Sequence, residues 1–175
     1  MAPVAVVTGG TRGIGEGISM ALKAKGYRVE ATYAGNDTAA QQFQIKTGIP
    51  VFKFDVGDYA ACEKGVAQIT RNLGPVDVLV IDAGITRDVV LHRMTPAQWG
   101  EVIRTNLDSA FLLSQRLGAR MIERGSGKIV NVASQLAFSG GINVPGYTAS
   151  KHAIAGLTKA GIAIDDFAPR LSFFW

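Results

Sequence analysis

The chain is poor in the residues that build disulfide and metal chemistry. Cys62 is the only cysteine among 175 residues, which excludes an intrachain disulfide and a cysteine-rich metal site. The two histidines, His92 and His152, stand apart from each other and from any acidic cluster, so no metal is expected. No apolar run approaches the ~20 residues of a spanning helix, and no basic stretch leads into a long apolar core at the N-terminus, so no membrane association is expected and the chain reads as cytoplasmic. Basic residues exceed acidic ones by 18 to 14 but are scattered, which fits a mildly basic surface and gives no indication of nucleic-acid binding. Repeats, low-complexity tracts and interdomain linkers are absent as well. With 47% hydrophobic residues the chain can fill one core, and it is too short for two, so residues 1–175 read as a single domain.

What is present is an alternation of short β-branched runs with helix-periodic segments, the pattern of βα units and of a parallel sheet covered on both faces. Strands are expected over 4–7, 28–33, 51–54, 76–81 and 128–133. Helices are expected over 14–25, from Asp37 as cap to about 46, over 59–73, and from Pro96 to about 124, with Thr95 as N-cap and Gly125 as stop. On the first helix, Ile14, Ile18, Ala21, Leu22 and Lys25 are spaced for one face. Cys62, in the helix over 59–73 with no histidine nearby, reads as packing rather than as a nucleophile. A last helix carries Tyr147 and Lys151.

Gly9, Gly13 and Gly15 lie between the first strand and the first helix, the context in which a glycine string is informative. Glycines there allow a tight turn and let backbone N–H groups and the positive helix end approach a pyrophosphate. Four residues separate Tyr147 from Lys151, so on a helix the phenol and the ammonium share a face. A nearby cation favours phenolate, which makes such a tyrosine a better proton donor to a carbonyl under reduction. Ser134, thirteen residues upstream, can hydrogen-bond the same oxygen as charge develops on it. The bland readings of these features are an ordinary turn and an ordinary helix face; their joint occurrence favours a dinucleotide and hydride transfer.

The run Thr8-Gly9-Gly10-Thr11-Arg12-Gly13-Ile14-Gly15, followed by Asn106 on a long helix, Ser134 and Tyr147-x-x-x-Lys151, resembles the short-chain dehydrogenase/reductases over residues 2–160. The resemblance implies a Rossmann-like doubly wound α/β domain. It implies that Asn106, Ser134, Tyr147 and Lys151 form a catalytic tetrad, with Tyr147 as general acid/base, Ser134 orienting the carbonyl, Lys151 also reaching the nicotinamide ribose and Asn106 holding a relay water. It places Gly9, Thr11, Arg12, Gly13, Ile14, Gly15, Tyr33, Asp55, Val56, Ala83 and Gly84 along the cofactor. The second strand ends Thr32-Tyr33-Ala34-Gly35-Asn36 without the carboxylate that would bind both ribose hydroxyls of NAD, and Arg12 stands where similar enzymes bind a 2′-phosphate, so NADPH is expected rather than NADH.

The implied substrate is a small-molecule carbonyl compound. Residues 28–110 resemble acetoacetyl-CoA reductases and imply a 3-oxoacyl thioester; residues 132–148 look more like sugar-acid dehydrogenases and imply a keto sugar. A non-catalytic nucleotide-binding protein and a scaffold using the apolar tail are the readings from other classes. Pairing into a homodimer or homotetramer through the long fourth helix and the Tyr/Lys helix is also implied. Two departures stand out. Ile81-Asp82 replace a pair of asparagines whose amides fasten the sheet, so a loosened junction is expected there. After Lys159-Ala160 the chain looks shortened: 167–169 resembles the end of a sixth strand, Arg170 stands where glycine is usual, and an apolar run 171–175 follows.

Overall fold

The computed structural model describes residues 2–162. Five parallel strands form one sheet: β1 (Val4–Thr8), β2 (Arg28–Tyr33), β3 (Val51–Lys53), β4 (Val78–Ile81) and β5 (Lys128–Asn131), in the order β3-β2-β1-β4-β5. The helices are α1 (Gly13–Ala24), α2 (Asp37–Thr47), α3 (Tyr59–Leu73), α4 (Pro96–Ile103), α5 (Ser109–Arg124), the short α6 (Leu136–Ser139) and α7 (Pro145–Ile162). The stretches 167–169 and 171–175 lie outside the described residues. No helix among the described residues is long and apolar enough to cross a membrane.

Alternation along β1 divides the core in two. Val4 and Val6 join Val66 and Ile69 of α3, Leu113 and Leu117 of α5 and Ile154 of α7 in one cluster. Ala5 and Val7 join Val29, Ala31 and Phe43 in the other, with Ile18 and Leu22 of α1 packed against it. A strand apolar on both sides is what burial between two helical layers requires. The fold is therefore a doubly wound, Rossmann-like α/β domain, as expected.

Several local expectations need correction. The packed face of α1 is Gly15, Ile18, Ser19 and Leu22; Ala21 and Lys25 are exposed, and Ile14 is 67% exposed. Close approach of α1 to the sheet needs small residues, which a count of apolar positions does not show. The cap of α2 is Asn36, whose side chain accepts the Ala39 N–H at 2.9 Å, while Asp37 pairs with Lys53 at 2.9 Å. β2 has the expected bounds and β1 runs on to Thr8, whereas β3, β4 and β5 are shorter than the runs that announced them. Val76 is buried ahead of β4, and Asp77 next to it accepts the Val4 N–H at 2.8 Å.

Thr95 and Pro96 start the fourth helix as expected, with Thr95 and Gln98 forming a reciprocal capping box. Gly125 ends α5 in the left-handed conformation. Between them the backbone does not stay α-helical: residues Arg104–Asp108 form a π-helical turn joining α4 to α5. Such turns are rare and often sit at functional sites. This one contains Asn106.

Candidate active site

The strand order reverses between β1 and β4, so the connections that follow them run to opposite sides, and ligands of doubly wound sheets bind in the crevice at that switch point. Here the crevice is a cavity of about 850 Å³. Its lining includes Gly9, Thr11, Arg12, Gly13 and Ile14 from the glycine turn, Tyr33 at the end of β2, Asp55 and Val56 after β3, Ala83 and Gly84 after β4, and Tyr147 and Lys151 from α7. Residues distant in sequence, and each expected at the site, thus meet on one surface.

Gly9 adopts φ +65°, a left-handed conformation that favours glycine, and a side chain there would press on the backbone of Ala83 at 3.1 Å. A Cβ on Gly15, in the first turn of α1, would collide with the Gly9 carbonyl. The turn is thus folded too tightly for side chains at these two positions. At the start of α1 Arg12 provides no side-chain cap, so no side chain of the N-cap residue occupies the first-turn N–H groups that an anion would use.

Beside the β2 end of the cavity lies an ion pair of Lys53 with Asp37. Lys53 holds the Asp37 carboxylate below the usual range, and the Tyr33 hydroxyl hydrogen-bonds the same carboxylate; burial first and Asp37 second raise the Tyr33 phenol. The nearest acid beyond β2 is therefore already engaged. Asp55 accepts the Gly57 N–H at 2.8 Å, which fixes the loop after β3.

At the other end, Lys151 is 4% exposed and donates to the Val132 carbonyl at 2.6 Å, with its Nζ 5.6 Å from the Tyr147 ring centroid. Burial pulls the ammonium below its ordinary value, and Asp82 acts in the opposite direction. Ser134 follows the lining residue Ala133 and accepts the Leu136 N–H at 3.2 Å, so its hydroxyl also shapes the entry to α6.

Asn106 lies behind the cavity wall, 1% exposed. Its Oδ1 accepts the Ile85 N–H at 2.8 Å, while its Nδ2 donates to the Ile85 carbonyl and to Ser150 Oγ, each at 3.0 Å. One amide thereby ties the loop after β4 to α7, and the π turn is what aims it there. Sequence reasoning missed Ser150. Its place beside Lys151, on the turn facing Asn106, was the available signal.

The junction at Ile81-Asp82 is fastened from the neighbouring strand. Ile81 is buried and pairs with Thr8, and Thr8 Oγ1 accepts the N–H groups of both Asp82 and Ala83 at 3.1 Å. Cys62 is buried as expected and its thiol is pushed up to about 11 by burial, so it is not a nucleophile at neutral pH. Among the described residues no cluster of His, Cys, Asp and Glu could hold a metal ion.

The sequence matches the short chain dehydrogenase model over residues 3–163. It is 52% identical over 160 residues to acetoacetyl-CoA reductase of Rhizobium meliloti (strain 1021), covering 91% of this chain and 66% of that one. It is 39% identical over 176 residues to 2-dehydro-3-deoxy-D-gluconate 5-dehydrogenase of Bacillus subtilis (strain 168), covering 94% and 69%. The chain therefore spans about two thirds of the length of the curated relatives it matches. A crystal structure of a single-substitution variant of actinorhodin polyketide ketoreductase with NADPH superposes with TM-score 0.90 at 32% identity, over 98% of this chain and 69% of that one.

Proposed function

The chain belongs to the short chain dehydrogenase family, and on that premise we propose that it reduces a ketone to a secondary alcohol with NADPH, the ketone being a 3-oxoacyl thioester such as acetoacetyl-CoA. One observation carries the reading: Tyr147 and Lys151 line the same cavity as the glycine turn. The tight turn at Gly9 and Gly15 fits a pyrophosphate, and exposed Arg12 together with the engaged Asp37 favours a 2′-phosphate over a free ribose hydroxyl.

Bound NADPH supplies the hydride to the carbonyl carbon. Tyr147 gives its hydroxyl proton to the carbonyl oxygen, and the Lys151 ammonium, held by Val132 over the ring, stabilises the phenolate left behind. Ser134 donates to the same oxygen. Asn106 keeps the loop after β4 and α7 in register, so that the wall at Ile85 and the Tyr147 side of the cavity stay opposed. A relay water at Asn106 belongs to this proposal, although its amide nitrogen already serves two partners.

The 52% identical reductase supports the thioester; the 39% identical gluconate dehydrogenase and the loop over 132–148 support a keto sugar as the second reading. Assembly into a homodimer or homotetramer is part of the proposal, with Trp99 of α4 and Phe111 of α5, 41% and 49% exposed, as the apolar surface to be covered. So is a cytoplasmic location.

NADPH oxidation by the purified chain, followed with acetoacetyl-CoA and with a 2-keto-3-deoxy sugar acid, tests the reading. Turnover of the thioester is expected, and Tyr147→Phe is expected to abolish it while NADPH still binds by calorimetry. Near-normal rates in Tyr147→Phe would refute the mechanism. Binding without turnover of either ketone would favour the non-catalytic alternative.

A further inference from the structure

Among the ionisable groups in the cleft that have no part in this mechanism, Asp82 is the one beside both the glycine turn and the lysine wall. Asp82 follows β4, is half-buried and lines the cavity together with Lys151. Its Oδ2 is packed against the first turn of α1, only 2.8 Å from where a Cβ on Gly15 would sit. Desolvation raises the carboxyl, and both the Lys151 ammonium and the Gly15 N–H oppose that rise. The carboxylate thus touches the glycine turn and shares the cavity wall with the buried lysine.

Lys151 needs such a neighbour. A buried ammonium is costly without a counter-charge, and its hydrogen bond goes to a neutral carbonyl. The other charged and titratable groups nearby are otherwise placed. On α7, Tyr147 is a phenol under the ammonium and His152 is exposed. From α4, Glu101 pairs with Arg87 at 2.7 Å and Arg104 begins the π turn, exposed; Asp108 at its end is exposed too. Residues 136–139 of α6 carry no charge, and Lys128 of β5 is exposed at the far end of its strand. Elsewhere in the lining, Asp55 caps its own loop and Arg12 is exposed.

We propose that Asp82 is a positioning residue, the counter-ion of Lys151, which keeps the lysine charged inside the cleft and ties that charge to the glycine turn. The pairing acts across the cavity and not through a contact ion pair. For catalysis it rests on the reading of Lys151 given above: the ammonium persists to higher pH than burial alone would allow, and with it the stabilisation of the Tyr147 phenolate.

The test needs no substrate. In the chain labelled with ¹³C at lysine Cε, the Lys151 signal, assigned with Lys151→Arg, gives its titration midpoint. Asp82→Asn removes the charge and preserves the shape and the acceptor for Gly15. The Lys151 midpoint is expected to move to lower pH; an unchanged midpoint in the folded variant overturns the proposal. The reciprocal measurement uses the Asp82 carboxyl signal, which must titrate at higher pH in Lys151→Gln than in the parent, and identical curves again overturn it. Where turnover is found, the alkaline limb of kcat/KM moves to lower pH in Asp82→Asn. Coupled titrations without any ketone turnover would refute the reaction and leave the pair standing.

Discussion

Glu30 is a carboxylate inside a sheet: it is 4% exposed, and its Oε1 has no hydrogen-bond partner among the described residues. It pairs in register with Val6, on the side of β1 that packs toward α3. Burial raises its carboxyl above the ordinary range. A carboxyl that binds its proton more tightly folded than unfolded contributes stability below its unfolded value, and that contribution is lost as pH rises through the folded value. Glu30→Gln should therefore gain on the parent as pH rises from the acid range to neutrality, by about 1.4 kcal/mol for each unit of offset. Urea melts of both chains across that range check the sign; a constant difference would show that Glu30 does not titrate differently on folding. The adjacent Thr32 hydroxyl, on the same face of β2, is equally unpartnered, which marks this patch as the least satisfied part of the interior.

Helix ends were legible where a single residue marks them, as at Thr95 and Gly125, and misplaced by one at α2, where Asn36 and not Asp37 is the cap. Thr95 and Pro96 announce the start of α4, and Thr95→Ala should cost about 1 kcal/mol by removing the side-chain acceptor of the Gln98 N–H. Thermal or denaturant unfolding would read this directly, and no loss would mean that the box does not hold in solution. The π turn at Arg104–Asp108 carried no such mark, since it arises from how Asn106 must reach Ile85 and Ser150 and not from any residue's propensity. The exposed Ile14 of α1 shows the same limit: it satisfies helical spacing yet faces the cleft, because a cofactor surface obeys a different rule from a core. The glycine turn, Tyr147 and Lys151 could be read from spacing, since covalent geometry sets which residues share a turn. Asp82 could not be read as their partner, because its proximity depends on how β4 lies beside β1.

For the whole molecule, the strand order makes the β1–β4 ladder a seam. On one side lie β2 and β3, which bring Tyr33 and Asp55 to the cavity; on the other lie β5 and α7, which bring Val132, Tyr147 and Lys151. A ligand filling the cavity bridges both sides. Saturating NADPH at a hundred times its Kd should add about 2.7 kcal/mol to stability, and NADH should add less at equal concentration if Arg12 recognises the 2′-phosphate. Thermal melts with each nucleotide test this, and equal shifts would remove Arg12 from that role. The seam also sets an expectation for how the molecule breathes: a dinucleotide that touches both sides couples their opening. Amide hydrogen exchange should then slow on β2 and α7 alike when NADPH binds, and a slowing confined to the glycine turn would mean that the ligand grips one side only.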